Sequence, residues 1–110
     1  MRAAFDHIAL TTVDIQESID FYRDRFEGVE VVHQDNSWGF LKVGALKLAL
    51  VTESEHPPHI CFRVTLRAEL EQYAQNYGGQ IVVHRDRSES FYVFDPSANV
   101  IEILWYPEDY

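Results

Sequence analysis

Cysteine is almost missing from this chain of 110 residues, which contains only Cys61. One cysteine cannot form a disulfide within the chain, and this fits a reducing compartment. Cys61 lies in the strand-like run HICFRV, where a free cysteine is usually a small buried side chain rather than a reactive thiol. A fold held together by internal disulfides is therefore excluded.

Basic residues are also few, because nine Lys and Arg stand against eighteen Asp and Glu, for a formal net charge of −9. Nucleic-acid binding draws its affinity from clustered Lys and Arg. We therefore expect no nucleic-acid partner. An acidic surface usually serves to keep soluble proteins apart, although it would also suit a cationic ligand.

The chain has no apolar run near the roughly 20 residues that a membrane helix needs. The opening MRAAFDHIAL is interrupted by Asp6 and His7, so we expect no signal peptide, no membrane partner and a cytoplasmic location. Glycine-rich phosphate loops, serine nucleophile elbows and paired CxxC motifs are absent from the sequence as well. The remaining composition, 46% apolar and 14% aromatic, is that of a globular protein.

An internal repeat is the clearest positive feature. The run VVHQD at residues 31–35 returns as VVHRD at residues 82–86, and the strand-like openings FDHIAL and PHICFRV stand at nearly the same separation. A polar linker, TESEHPP, lies between the two halves. We expect a single domain over 1–110 with repeats of about 4–52 and 57–106.

Each half contains the same order of elements. In the first half a strand is followed by a helix that begins at Asp14, with Glu17 completing a capping box, and that stops at Gly28. Three short strands follow, and the second half repeats the plan with a helix from Thr65 to Tyr77. The predicted strands of the second half are HICFRV, QIVVH, SFYVF and NVIEILWY. The fold class is α+β, with two βαβββ repeats that form a curled mixed sheet, a cup with the helices outside.

Three polar side chains stand out within apolar strands. His7, His59 and Glu102 each alternate with apolar residues such as Ile8, Ile60 and Ile101, which we expect under the helices with Leu10, Phe62 and Val64. A buried carboxylate is costly without a partner, and two imidazoles with one carboxylate can bind Fe, Mn, Zn or Ni as a divalent ion. Hydrogen-bonded structural histidines, and a salt bridge from Glu102 to Arg63 or Arg85, are the alternatives. The equivalent repeat positions of His7 and His59 favour a metal.

Two segments resemble the vicinal oxygen chelate superfamily, the group of glyoxalases, bleomycin-resistance proteins and extradiol dioxygenases. They are FDHIALTTVDIQESIDFYRDRFEG, with its strand histidine and Asp-led helix, and FYVFDPSANVIEIL, with its Phe-Tyr, Asp-Pro and closing Glu. Together with HICFRV, these segments extend over nearly the whole chain. The resemblance implies that His7, His59 and Glu102 bind the metal and that the protein forms a homodimer, with the cup built within one chain or between two.

The departures from this pattern concern the reaction. Superposing KLALVT on VIEILW places Ala49 opposite Glu102, so the fourth ligand of glyoxalase I is missing, and Ala98 stands where the extradiol pattern has Gly or Pro. That pattern would make Tyr92 and His84 catalytic groups, beside the metal or in contact with substrate. The alternative for His84 is an exposed edge residue, like its repeat partner His33.

The resemblance implies a metal-dependent enzyme that acts on a small molecule through adjacent oxygens, as a lyase, an isomerase or a ring-cleaving dioxygenase. A metal-free protein that sequesters an antibiotic, of the bleomycin-resistance type, is the alternative. A relative that binds metal without catalysis is a third possibility.

Overall fold

The computed structural model describes residues 1–52 and 56–107, and within them it contains eight strands and two helices. In chain order they are β1 (Ala4–Thr12), α1 (Ile15–Arg25), β2 (Val29–Gln34), β3 (Trp38–Val43), β4 (Leu46–Thr52), β5 (His59–Arg63), α2 (Arg67–Tyr77), β6 (Val82–Val83), β7 (Glu89–Phe94) and β8 (Val100–Trp105). The predicted α+β fold with two βαβββ repeats is confirmed. Within the predicted linker of residues 52–58, residues 53–55 lie outside the described part of the chain.

The chain divides into two compact units. The N-terminal unit is His7–His59, and the C-terminal unit joins Met1–Asp6 to the chain from Ile60 onward. The expectation of a single domain over 1–110 stays a prediction. None of the helices in the described residues is long and apolar enough to cross a bilayer.

The N-terminal unit is a mixed sheet in the order β2-β3-β4-β1, with β1 parallel to β4 and the other neighbours antiparallel. Helix α1 packs on one face of this sheet, and the core consists of Ile15, Ile19, Leu41, Leu48 and Leu50. A Cβ on Gly39 would lie 3.2 Å from both Ile15 and Ile19, so glycine allows the helix to approach β3 closely.

Helix α1 begins as the sequence predicts and ends earlier. Oδ1 of Asp14 accepts the backbone N–H of Glu17 at 3.0 Å, which caps the first turn. The last helical residue is Arg25, because Phe26 is already extended (φ −125°), while Gly28 takes the left-handed conformation in the turn that follows (φ +73°).

The C-terminal unit has the strand order β5-β8-β7-β6, and α2 packs on β7 and β8. Its core contains Val64, Leu70, Ala74, Phe91 and Ile103. Helix α2 begins at Arg67 rather than at the predicted Thr65, because Leu66 is still extended (φ −114°, ψ 138°). Gly78 ends it in the left-handed conformation, as expected from the sequence.

Two expectations about the strands are wrong in detail. The predicted strand over residues 80–84 shrinks to Val82–Val83, because the N–H of His84 bonds to the carbonyl of Ser88 in a turn. Leu10 and Ile60 are 38% and 39% exposed, whereas Ile8, Phe62 and Val64 do pack in the cores. The main contacts of α1 are with β2, β3 and β4, and those of α2 are with β7 and β8, rather than with β1 and β5, which carry Leu10 and Ile60.

Candidate metal centre

His7 and His59 lie close together within the N-terminal unit. Ile8 packs in the core under α1, so its neighbour His7 points to the opposite face of the sheet. The ring centroids of His7 and His59 are 5.8 Å apart, and each residue has a ring nitrogen within 4.8 Å of the other's. Two nitrogens bound to one cation stand about 3–4 Å apart, since each bond is about 2.0–2.1 Å long. The two ring nitrogens therefore lie near the spacing that a shared divalent ion would require.

A backbone carbonyl fixes the orientation of the His59 ring. Nδ1 of His59 lies 2.8 Å from the carbonyl oxygen of Pro57, and a carbonyl can only accept, so Nδ1 carries the proton. In the neutral ring the lone pair is then on Nε2, which is the usual state of a metal-binding histidine. His59 is only 6% exposed, so this tautomer is held in a buried site.

Glu102 lies in the C-terminal unit and is 4% exposed. Its neighbours Ile101 and Ile103 pack in the core under α2, so Glu102 points to the opposite face of the sheet. The hydroxyl of Tyr92, directly across the β7–β8 ladder, donates to Oε2 of Glu102 at 2.9 Å. This bond to a charged acceptor holds the carboxylate in place.

His84 is the second group beside Glu102 in this unit. Its Nε2 lies 2.7 Å from the hydroxyl oxygen of Ser90 and 3.4 Å from Oε2 of Glu102, and the side chain is 20% exposed. The repeat partner His33 behaves differently: it is 40% exposed, hydrogen-bonds to Asp35 at 2.8 Å and stacks on Trp38. The likeness of the two repeats therefore does not extend to these histidines.

Burial controls the protonation of two groups near Glu102. Burial raises the pKa of Tyr92, and the charge of Glu102 and its hydrogen bond raise it further, so the phenol keeps its proton and donates. Burial also raises the pKa of Cys61, again with a contribution from Glu102. Cys61 has no exposed surface, which makes it a buried thiol rather than a reactive thiolate.

The strand registers locate the repeat equivalent of Glu102. In the C-terminal unit Tyr92 pairs with Glu102, and in the N-terminal unit Phe40 pairs with Ala49. Ala49 therefore occupies the place where a second carboxylate would stand, and the ring of Phe40 lies 6.1 Å from that of His7. The N-terminal unit offers apolar surface at this point.

Asp6 is a buried residue that no sequence motif marks as functional. It is 3% exposed, accepts the hydroxyl of Tyr106 at 2.9 Å on Oδ2 and lies 3.9 Å from Arg63. Asp6 and Tyr106 are 100 positions apart, so no local pattern could have indicated their contact. Arg63, which the sequence offered as a possible salt-bridge partner of Glu102, thus lies beside Asp6.

Comparison with known proteins identifies the family of this chain. Residues 4–103 match a model of the glyoxalase/bleomycin resistance protein/dioxygenase superfamily. The chain belongs to this superfamily. No curated protein matches it.

Several solved structures share the fold. A hypothetical protein, BH1468 from Bacillus halodurans C-125, has a TM-score of 0.73 at 17% identity, over 100% of this chain and 99% of that one. Methylmalonyl-CoA epimerase from Mycobacterium tuberculosis has a TM-score of 0.68 at 16% identity, covering 96% and 89%. A variant of homoprotocatechuate 2,3-dioxygenase from B. fuscum has a TM-score of 0.69 at 18% identity. The match covers 96% of this chain but only 34% of the dioxygenase chain. At these identities the likeness concerns the fold alone.

The turn before Glu102 contains Ala98, the residue that departs from the extradiol pattern. Oδ1 of Asp95 accepts the backbone N–H groups of Ser97 and Asn99, and the side-chain hydrogen bond from Asn99 is the main cause that lowers the pKa of Asp95. Ala98 adopts φ +66° in this turn, a conformation that glycine takes at lower cost. The turn thus forms with alanine and still leads into β8, where Glu102 lies.

Proposed function

We propose that this protein is a divalent-metal-dependent enzyme of the glyoxalase and dioxygenase type, with His7, His59 and Glu102 as the metal ligands. The observation that carries the proposal is the His7–His59 pair, in which the bond of His59 to the carbonyl of Pro57 leaves Nε2 as the metal-binding nitrogen of the neutral ring. The buried carboxylate of Glu102, oriented by Tyr92, supplies the chemistry of a third ligand.

Two imidazoles and one carboxylate suit Fe(II), Mn(II), Zn(II) or Ni(II), and three protein ligands leave positions open for a substrate. When bound, such a cation supplies Lewis acidity to a small molecule that chelates it through two adjacent oxygens. An isomerase, a lyase and a ring-cleaving dioxygenase can all use this chemistry.

The residues of the chain would divide the remaining work between binding and orientation. Tyr92 keeps its proton on the phenolic oxygen and donates a hydrogen bond to Oε2 of Glu102, which keeps the carboxylate in one orientation. Nε2 of His84 also lies near Oε2 of Glu102 and hydrogen-bonds to the hydroxyl of Ser90. We propose both as groups that act through Glu102. Because Ala49 stands at the equivalent repeat position, that position supplies no second carboxylate for proton transfer.

The net charge of −9 supports one second candidate, a metal-free protein that sequesters a cationic drug in the manner of bleomycin-resistance proteins. Binding of a cationic antibiotic by metal-free protein, with no tight metal binding, would favour that candidate. We also propose that the enzyme is cytoplasmic, forms a homodimer and acts on a small-molecule substrate. Light scattering at several protein concentrations tests the dimer.

Calorimetric titration of chelator-treated protein with Zn(II) and Mn(II) tests the metal site. We expect one ion per chain, and affinity at least about tenfold to a hundredfold weaker in His7→Gln and Glu102→Gln. His33→Gln and Glu27→Gln are matched controls, because each removes an exposed group of the same type from the N-terminal unit. Equal losses in the controls, or the absence of binding in the wild type, would reject the metal site.

A further inference from the structure

Arg63 lies on the polar sheet face of the C-terminal unit. Its neighbours Phe62 and Val64 pack in the core under α2, so Arg63 points to the other face of β5. Glu102 points to the same face from β8, and β5 and β8 are neighbours, joined near this point by the bond from the N–H of Val64 to the carbonyl of Leu104 at 2.8 Å. The guanidinium and the proposed ligand carboxylate therefore share one surface.

The buried Asp6 and the half-buried Tyr106 orient the guanidinium of Arg63. Its Cζ lies 5.1 Å from the centroid of the Tyr106 ring, and its Nη1 lies 3.9 Å from Oδ1 of Asp6. Tyr106 in turn donates its hydroxyl proton to Oδ2 of Asp6 at 2.9 Å. Aromatic stacking and the charge of Asp6 together hold the arginine in a defined position.

This position leaves donor capacity on the arginine. A separation of 3.9 Å is too long for a hydrogen bond, so Asp6 balances the charge of Arg63 without accepting a hydrogen bond from the guanidinium. The side chain is 36% exposed, which gives a solute access to it. Arg63 is also the single Lys or Arg in strands β5 to β8 of a chain whose net charge is −9.

We propose that Arg63 binds a carboxylate of the substrate, so that the substrate is an anionic small molecule. A guanidinium presents a planar fork of donors, which matches the two oxygens of a carboxylate. The inference rests on the proposed metal-dependent function and adds the substrate class. It also opposes the cationic ligand that the net charge alone would suggest.

Pairs of keto acids that differ only in a distal carboxylate test the inference. α-Ketoglutarate and α-ketovalerate offer a metal the same two adjacent oxygens, and α-ketoadipate and α-ketocaproate repeat the comparison with one more methylene. We expect zinc-loaded wild type to bind the dicarboxylate at least about tenfold more tightly in one pair, because hydrogen bonds to a charged group are the strong ones. In Arg63→Gln the two members of each pair should bind within about twofold of each other.

The ratio of the two dissociation constants does not depend on the fraction of folded protein, so it remains valid if Arg63→Gln is less stable. Arg63→Lys keeps the charge without the fork and should retain part of the preference. Arg25→Gln is the matched control, because Arg25 also stacks on a ring, that of Phe21 at 4.0 Å, and lies on α1. The control should keep the wild-type ratio.

Two failures can be told apart. No preference in the wild type, or an unchanged preference in Arg63→Gln, overturns the carboxylate inference and leaves the metal site intact. A preference that depends on Arg63 but is the same with and without zinc supports the inference and contradicts the metal-dependent function. If no keto acid binds in either state, the carboxylate inference is overturned, while the zinc titration decides the metal site separately.

Discussion

The hydroxyl of Tyr92 donates a 2.9 Å hydrogen bond to Oε2 of Glu102, and the two residues are direct partners in the β7–β8 ladder. The bond is local and geometrically constrained, because both Cβ atoms leave the sheet on the same face. Glu102 therefore enters the proposed site already oriented. This relationship leads to the first test of how the site is held.

Tyr92→Phe removes the hydroxyl and keeps the ring. We expect Zn(II) affinity to fall about tenfold, since the loss of a group that orients a ligand typically costs this much or more. Calorimetric titration measures the change. Tyr77→Phe, at a position 60% exposed, is the control and should leave the affinity unchanged. An equal affinity in Tyr92→Phe would mean that the hydroxyl does not support the ligand.

Gly79→Ala should destabilise the C-terminal unit. The new Cβ would lie 2.6 Å from Cδ2 of Phe91, whose ring has no exposed surface and cannot move without disturbing the core. Overpacking of this kind costs about 3 kcal/mol of unfolding free energy at the upper end. Urea unfolding provides the measurement. In Gly44→Ala nothing lies within 4 Å, and only the cost of φ +60° applies, about 1 kcal/mol. A smaller loss in Gly79→Ala than in Gly44→Ala would contradict the packing argument.

The alternation of apolar and polar residues predicted the strands that carry the site. In β8, Ile101 and Ile103 pack in the core, so Glu102 between them points to the opposite face. The alternation failed at Val82 and Val83, which have the composition of a buried strand but are 45% and 66% exposed on the edge strand β6. Edge position depends on strand order, and periodicity within a segment does not contain strand order. The family resemblance, in contrast, rests on whole motifs and is confirmed by the family match over residues 4–103.

Side-chain contacts between distant segments were out of reach for the same reason. The network of Asp6, Arg63 and Tyr106 joins the first strand to the residue after the last one. Similarly, VVHQD and VVHRD are nearly identical, yet His33 stacks on Trp38 while His84 lies beside Ser90 and Glu102. The residue facing each histidine decides its role.

The two helices differ at their N-caps. The side chain of Asp14 caps α1 by accepting the backbone N–H of Glu17. The N-cap residue of α2 is Leu66, which has no polar side-chain atom and is 58% exposed. We expect Leu66→Asp to stabilise the protein by about 1 kcal/mol and Asp14→Ala to destabilise it by about 1 kcal/mol. Urea unfolding at neutral pH measures both. Changes of the same sign in the two variants would contradict the assigned caps.

Asp35 should contribute to stability in mild acid. The hydrogen bond from His33 is the main cause that holds the pKa of Asp35 below its usual range, with further bonds from the backbone N–H groups of Ser37 and Trp38. A lowered folded-state pKa means that this stabilisation is present above the unfolded value near 3.9 and is lost as pH falls toward the folded value. We therefore expect the unfolding free energy of Asp35→Asn to decline less steeply than that of the wild type below about pH 4.

Urea unfolding between about pH 2 and 5 measures this slope, and Asp24→Asn, at an exposed position of α1, is the control. A wild-type slope in Asp35→Asn would show that the bonds of Asp35 do not contribute to acid stability.

The most direct test of the whole account is a crystal structure of the zinc-loaded protein with anomalous scattering recorded at the zinc edge. We predict one anomalous peak at about 2.0–2.2 Å from a nitrogen of His7, a nitrogen of His59 and a carboxylate oxygen of Glu102. A peak bound elsewhere, or zinc-saturated crystals with no peak among these three residues, would contradict it.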